Sequence, residues 1–150
     1  MFILNVIKSL PGATAAILPS IPAATARKPR ILLVDDDGSS RILYSGLLRK
    51  EGYEVDTASS PNKAIEMLEA KTYELVLTDT EMPEVTGFDL AKSLNSLYRG
   101  ELPVVLMSGS NDIARSVAEK RPPGIRTFLH KADFQTKAHS TIGEILAEAV

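Results

Sequence analysis

From residue 30 onward the chain alternates short continuous apolar runs with longer segments whose apolar residues recur every three or four positions. Runs of the first kind have no polar face and fit strands buried on both sides; the second pattern is that of amphipathic helices. Ile31 to Val34, Tyr53 to Thr57, Leu75 to Thr78, Pro103 to Met107 and Ile125 to Leu129 read as five strands. Five helices are expected between and after them. Ile42, Leu43, Leu47 and Leu48 mark the first, opened by Ser39 or Ser40 as cap and stopped by Gly52. Ala64, Ile65 and Leu68 mark the second, behind the cap and first-turn proline Ser60-Pro61. Thr86 with Asp89 three residues on opens the third, whose apolar positions include Leu90, Ala91, Leu94 and Leu97 and which Gly100 ends. The fourth starts at Ser110 or Asn111, and only Ile113, Val117 and Ala118 give it an inner face before Pro122-Pro123-Gly124 ends it. So thin a face suits a helix that can move. The last carries Ile142, Ile145 and Leu146, weakened by Gly143.

Strict alternation of buried strands and helices predicts an α/β fold, a doubly wound five-stranded parallel sheet with helices on both faces. Right-handed crossovers bring the carboxyl ends of all strands to one edge, where ligands bind in open α/β sheets. That edge would gather Asp35, Asp36, Asp37, Asp79, Ser108 and Lys131.

Composition narrows the chemistry. With 44% hydrophobic and 24% charged residues, the 150-residue chain is that of one soluble globular domain. The absence of cysteine removes disulfides, thiolate metal sites and a Cys nucleophile, and suits a reducing, cytoplasmic setting. Residues 1–30 hold four basic and no acidic side chains, which leaves 13 Lys and Arg against 19 Asp and Glu in residues 31–150. A mildly acidic body does not argue for nucleic acid. Residues 1–29, interrupted by Pro11, Gly12, Pro19, Pro22 and Pro29, cannot supply a membrane span and are expected to form a disordered arm ahead of a domain at 30–150.

Several carboxylates at one edge repel one another unless a cation sits between them, and a small set of hard oxygen ligands suits Mg2+. A divalent ion, a lysine and a hydroxyl around one carboxylate form the environment that phosphoryl transfer to that carboxylate requires. Asp79 is the expected nucleophile, with Lys131 and Ser108 stabilising the transferred group.

The segments V-D-D-D after the first strand, L-T-D-T-E-M-P-E-V-T-G after the third, V-V-L-M-S-G after the fourth and F-L-H-K before the last helix resemble the receiver domain of two-component response regulators over residues 30–150. The resemblance implies a flavodoxin-like sheet of strand order 2-1-3-4-5. It implies Asp79 as phosphoacceptor, Asp35 and Asp36 as the acidic pair for Mg2+, and Glu81 as a metal ligand through its backbone carbonyl. It likewise implies Ser108 as the switch hydroxyl, Lys131 as the phosphate-contacting lysine and Phe128 as the switch aromatic. The chain departs from the family pattern at Thr86, commonly Asp, and at Ala132, commonly Pro. The family implies a signalling domain rather than an enzyme, with its own autophosphorylation and autodephosphorylation chemistry; with the chain ending at Val150, a stand-alone receiver is expected. Its partners would be a histidine kinase or phosphotransfer protein and a downstream protein at the face of the fourth helix and fifth strand. It would work as a monomer or a phosphorylation-dependent dimer.

Two other readings use some of the same residues. A degenerate receiver would keep the fold as a binding module alone, although every catalytic position is filled. A phosphatase of the haloacid dehalogenase type would use Asp35-x-Asp37 with Ser108 and Lys131, leaving Asp79 and the M-P-x-x-x-G loop without a role. His130 and His139 read as packing or surface residues.

Overall fold

The computed structural model describes residues 27–148; most of the expected arm, residues 1–26, lies outside them. Five parallel strands, β1 (Arg30–Val34), β2 (Glu54–Ala58), β3 (Leu75–Asp79), β4 (Val104–Ser108) and β5 (Ile125–His130), form one sheet in the order β2-β1-β3-β4-β5. The connecting helices are α1 (Gly38–Lys50), α2 (Pro61–Ala70), α3 (Gly87–Tyr98), α4 (Asn111–Lys120) and α5 (Phe134–Glu148), with a 3-10 turn at Lys131–Asp133. This is the expected sheet and strand order.

The central strands are continuous apolar runs because side chains alternate between two covered faces. Ile31, Leu33, Leu75, Leu77, Val105 and Met107 point to one face and meet Leu48, Phe134, Ala138 and Ile142. Leu32, Val34, Val76 and Val104 point to the other and meet Ala64, Leu68, Leu90, Ala91 and Leu94. The sheet is anchored at its amino end by the segment that enters it. Arg27 pairs with Glu74, whose carboxylate also accepts the N–H of Arg30, and Glu54 N–H donates to the carbonyl of Pro29.

The helix boundaries follow local signals. Ser60 caps α2 with Pro61 in its first turn, and Thr86 and Asp89 form a reciprocal capping box at the start of α3. At α1 the expectation is corrected. The cap is Asp37, not Ser39 or Ser40; its carboxylate accepts both the N–H and the hydroxyl of Ser40 at 2.9 and 2.8 Å. An aspartate caps as well as a serine, and Ser40 stands at the position whose N–H a cap must receive.

The inner face of α1 is corrected too. Leu47 and Leu48 pack inward, but Ile42 and Leu43 are 78% and 55% exposed, while Tyr44 and Ser45 take the inner places. On α3, Leu97 is likewise 64% exposed. A helix with apolar residues around more than half its circumference can bury only the arc that meets the sheet. The thin face expected of α4 is real: Val117 is its one buried residue, and Ala118 is exposed.

Candidate functional site

β1 and β3 are neighbours in the centre of the sheet, and their carboxyl ends deliver Asp35 and Asp79 side by side. Both are buried, Asp35 completely. Asp36, exposed beside them, completes a group whose carboxylate oxygens come within 4.8 Å of one another. Asp37 does not join, because its carboxylate is committed to the start of α1.

Lys131 enters from the end of β5, two strands away. Its ammonium stands 3.4 Å from Asp79 Oδ1 and 3.6 Å from Asp35 Oδ2, and 5.9 Å from the centroid of the Tyr44 ring. One cation thus serves two buried carboxylates. Burial pushes the Asp79 carboxyl above its usual range, the neighbouring Asp35 pushes the same way, and Lys131 offsets only part of this. For Lys131, burial favours the neutral amine, but Asp79 and Asp35 outweigh it and raise its pKa, so the ammonium stays charged.

A charge deficit therefore remains in the cleft, and its location is specific. Asp35 Oδ1 accepts the N–H of Asp37 at 2.9 Å, but Oδ2 is buried and receives no hydrogen bond. A buried carboxylate oxygen without a donor is costly, and a bound cation satisfies it. The donor set of Asp35, Asp36 and Asp79 consists of hard anionic oxygens, as Mg2+ prefers. The residues present fit that ion.

Around the acids the backbone is closely fitted. Gly87, the first residue of α3, donates its N–H to Thr80 O at 3.0 Å, and a Cβ there would lie 2.2 Å from the Asp79 carbonyl oxygen. Only glycine lets α3 begin this close to the strand. The signal for this close approach in the sequence is a glycine eight residues after Asp79, directly behind a cap residue. Arg41 donates to the Asp35 carbonyl at 2.8 Å and ties α1 to the end of β1. Spacing within α1 does not announce that contact.

Ser108 ends β4, is buried, and its hydroxyl accepts the N–H of Ser110 at 3.0 Å. Glu81 follows Thr80 in the loop after β3, its side chain exposed; its backbone N–H lowers the Asp79 pKa in part. Phe128, two residues before the end of β5, is half-buried and lines a recess of about 440 Å³ with Ala114, Val117 and Ala118 of α4. His130, taken from sequence as a packing or surface residue, caps the turn at Lys131: its Nδ1 accepts the N–H of Ala132 at 3.1 Å. His139 meets the Tyr53 hydroxyl at 3.2 Å on the far side of α5. None of the described helices is long and apolar enough to cross a membrane.

Comparison with known proteins bears on this arrangement. The family model described as the response regulator receiver domain matches residues 31–142. The chain is 42% identical over 106 residues to the two-component response regulator ORR3 of Oryza sativa subsp. indica, an alignment covering 69% of this chain and 80% of that one. A receiver domain protein (CheY-like) from Methanospirillum hungatei JF-1 superposes with a TM-score of 0.72 at 26% identity, covering 82% of this chain and 97% of that one. The response regulator TrrA from Thermotoga maritima, solved in complex with Mg2+ and BeF, superposes with a TM-score of 0.70 at 24% identity, covering 78% of this chain and 98% of that one, and shares the fold.

Proposed function

The chain belongs to the response regulator receiver family, and on that premise we propose that it accepts a phosphoryl group on Asp79 and passes the signal to a protein partner. The fold is the flavodoxin-like one of CheY-like receivers. Receivers are signalling domains rather than enzymes, and membership leaves the phosphatase reading without support. One observation carries the proposal: Asp79 is buried at a strand end with Lys131 3.4 Å from its carboxylate and an unsatisfied Asp35 oxygen beside it.

Asp35, Asp36 and Asp79, with the backbone carbonyl of Glu81, would hold Mg2+. When bound, the ion supplies charge neutralisation at the oxygens of the transferred group. An Asp79 carboxylate oxygen attacks the phosphorus of a phosphohistidine or a small acyl phosphate, the bond to the donor's nitrogen or oxygen breaks, and an acyl phosphate forms on Asp79. Lys131 follows the negative charge as it moves from the carboxylate onto the phosphoryl oxygens, since it already stands between Asp79 and Asp35. Ser108 exchanges its bond with Ser110 N–H for one to the new group. The space it leaves, together with the recess beside α4, lets Phe128 turn inward, and the α4–β5 face changes shape for a downstream protein.

The donor's approach has its own support. Ile42 and Leu43 on α1, which follows the acids at the end of β1, and Val85 in the loop after β3 are exposed apolar side chains on the two segments that leave the acid-bearing strands. A helix carrying a phosphohistidine would bury them while aiming the phosphorus at Asp79. This pathway places the protein in the cytoplasm with a histidine kinase or phosphotransfer protein.

Intact mass after incubation with acetyl phosphate and Mg2+ tests the proposal. The wild type should gain one phosphoryl group; Asp79→Asn, or removal of Mg2+ with a chelator, should abolish the gain. A wild type that gains no mass and binds no beryllofluoride leaves the binding-module reading standing instead.

A further inference from the structure

His130 lies between Lys131 at the acid cleft and Phe128 beside α4. Its backbone is extended, with φ −71° and ψ 132°, and its imidazole Nδ1 accepts Ala132 N–H at 3.1 Å, capping the 3-10 turn Lys131–Asp133. The first N–H groups of such a turn have no partner within it, so a side-chain acceptor decides how the turn is entered. Phe128 holds the imidazole from the other side; the ring centroids are 6.3 Å apart, edge to face at 78°. The plane of the acceptor is thereby set by a neighbour two residues back on the same side of the strand.

Lys131 is the first residue of the capped turn. Its side chain has four rotatable bonds and must cross from β5 to reach carboxylates of β3 and β1 at 3.4 and 3.6 Å. A small change in how the backbone leaves β5 is carried to the far end of that side chain, and a misplacement of about 1 Å is costly in a transfer site. The geometry points to His130 as a positioning residue for phosphoryl transfer: its acceptor nitrogen fixes the turn from which Lys131 reaches Asp79 and Asp35. It touches neither the phosphoryl group nor the metal ligands, and acts through Lys131. This inference rests on the phosphoacceptor reading above.

The ring offers two things, an acceptor and an edge, and substitutions separate them. His130→Asn keeps a capping acceptor without the ring, His130→Phe keeps a ring without the acceptor, and His130→Ala removes both. Two quantities are measured in Mg2+ on the full chain: beryllofluoride affinity by calorimetry, and the rate of mass gain from acetyl phosphate. Loss of the cap is expected to reduce both by about fivefold in the Phe and Ala variants, the scale of a lost N-cap, with the Asn variant restored to near the wild type. Mg2+ affinity should be the same in all four proteins, because Lys131 is not a ligand. A Phe variant equal to the wild type beside an impaired Asn variant would mean that the ring acts by packing, and would overturn the inference; so would three variants indistinguishable from the wild type. If the wild type itself binds no beryllofluoride, the phosphoacceptor reading fails first and takes this one with it.

Discussion

Helices α3 and α4 occupy equivalent places, each following a strand that ends in a site residue, Asp79 for one and Ser108 for the other, and each capped by a hydroxyl. They are held very differently. α3 has a reciprocal capping box, buries Gly87, Leu90, Ala91 and Leu94, and begins against the Asp79 carbonyl, where no Cβ would fit. α4 has a one-way cap from Ser110 at 3.4 Å, buries Val117 alone, and leaves a recess open toward Phe128. The helix that borders Asp79 is clamped, and the helix that borders Ser108 is loose. Stability is unevenly distributed in folded proteins, and elements that move are drawn from its low end.

The largest contrast should come from the two cores. Leu94→Ala removes a fully buried side chain and should cost about 2–5 kcal/mol, whereas Val117→Ala should cost only about 1 kcal/mol, both read from urea unfolding. Equal losses would break the comparison. The caps should differ in the same sense by less: Thr86→Ala should destabilise by about 1 kcal/mol and Ser110→Ala by a smaller amount, because the second bond is the longer.

The smallest effect concerns the point where α3 meets the cleft. Burial holds the Asp79 pKa above its ordinary value, so the folded state binds that proton more tightly than the unfolded chain. The stabilisation is present below the unfolded value, about 3.9, and is lost as pH rises through the higher folded value. At neutral pH without Mg2+, ionised Asp79 is therefore a burden, and Asp79→Asn should melt at a higher temperature than the wild type. The advantage should shrink on acidification as Asp79 takes up its proton, and added Mg2+ should stabilise the wild type more than the variant. A variant less stable at neutral pH would show that Lys131 more than compensates the burial.

Much of the site was legible along the chain because it is built from strand ends. Once β1, β3, β4 and β5 are recognised, the parallel fold brings Asp35, Asp79, Ser108 and Lys131 to one edge whatever the details of packing. Asp37 was legible only in part: counted among the edge acids, it faces Ser40 and belongs to α1. His130 could not be told from any other half-exposed histidine, since its partner is a backbone N–H two residues on and the ring's orientation comes from Phe128. The exposure of Ile42 and Leu43 was hidden for another reason. Their spacing suits a helix, but α1 has apolar residues around too wide an arc for spacing to say which side meets the sheet.

By itself the sequence determined the order and type of the elements, most of their caps and the strand ends that carry chemistry, since these depend on residues within a few positions of one another. Tertiary structure decided what depends on approach from far along the chain. It placed one ammonium between two carboxylates, left one Asp35 oxygen without a donor, pressed α3 against Asp79 through Gly87, and left α4 with a single buried anchor. Those outcomes come from competition among surfaces for a limited buried area, and no local pattern records who wins it.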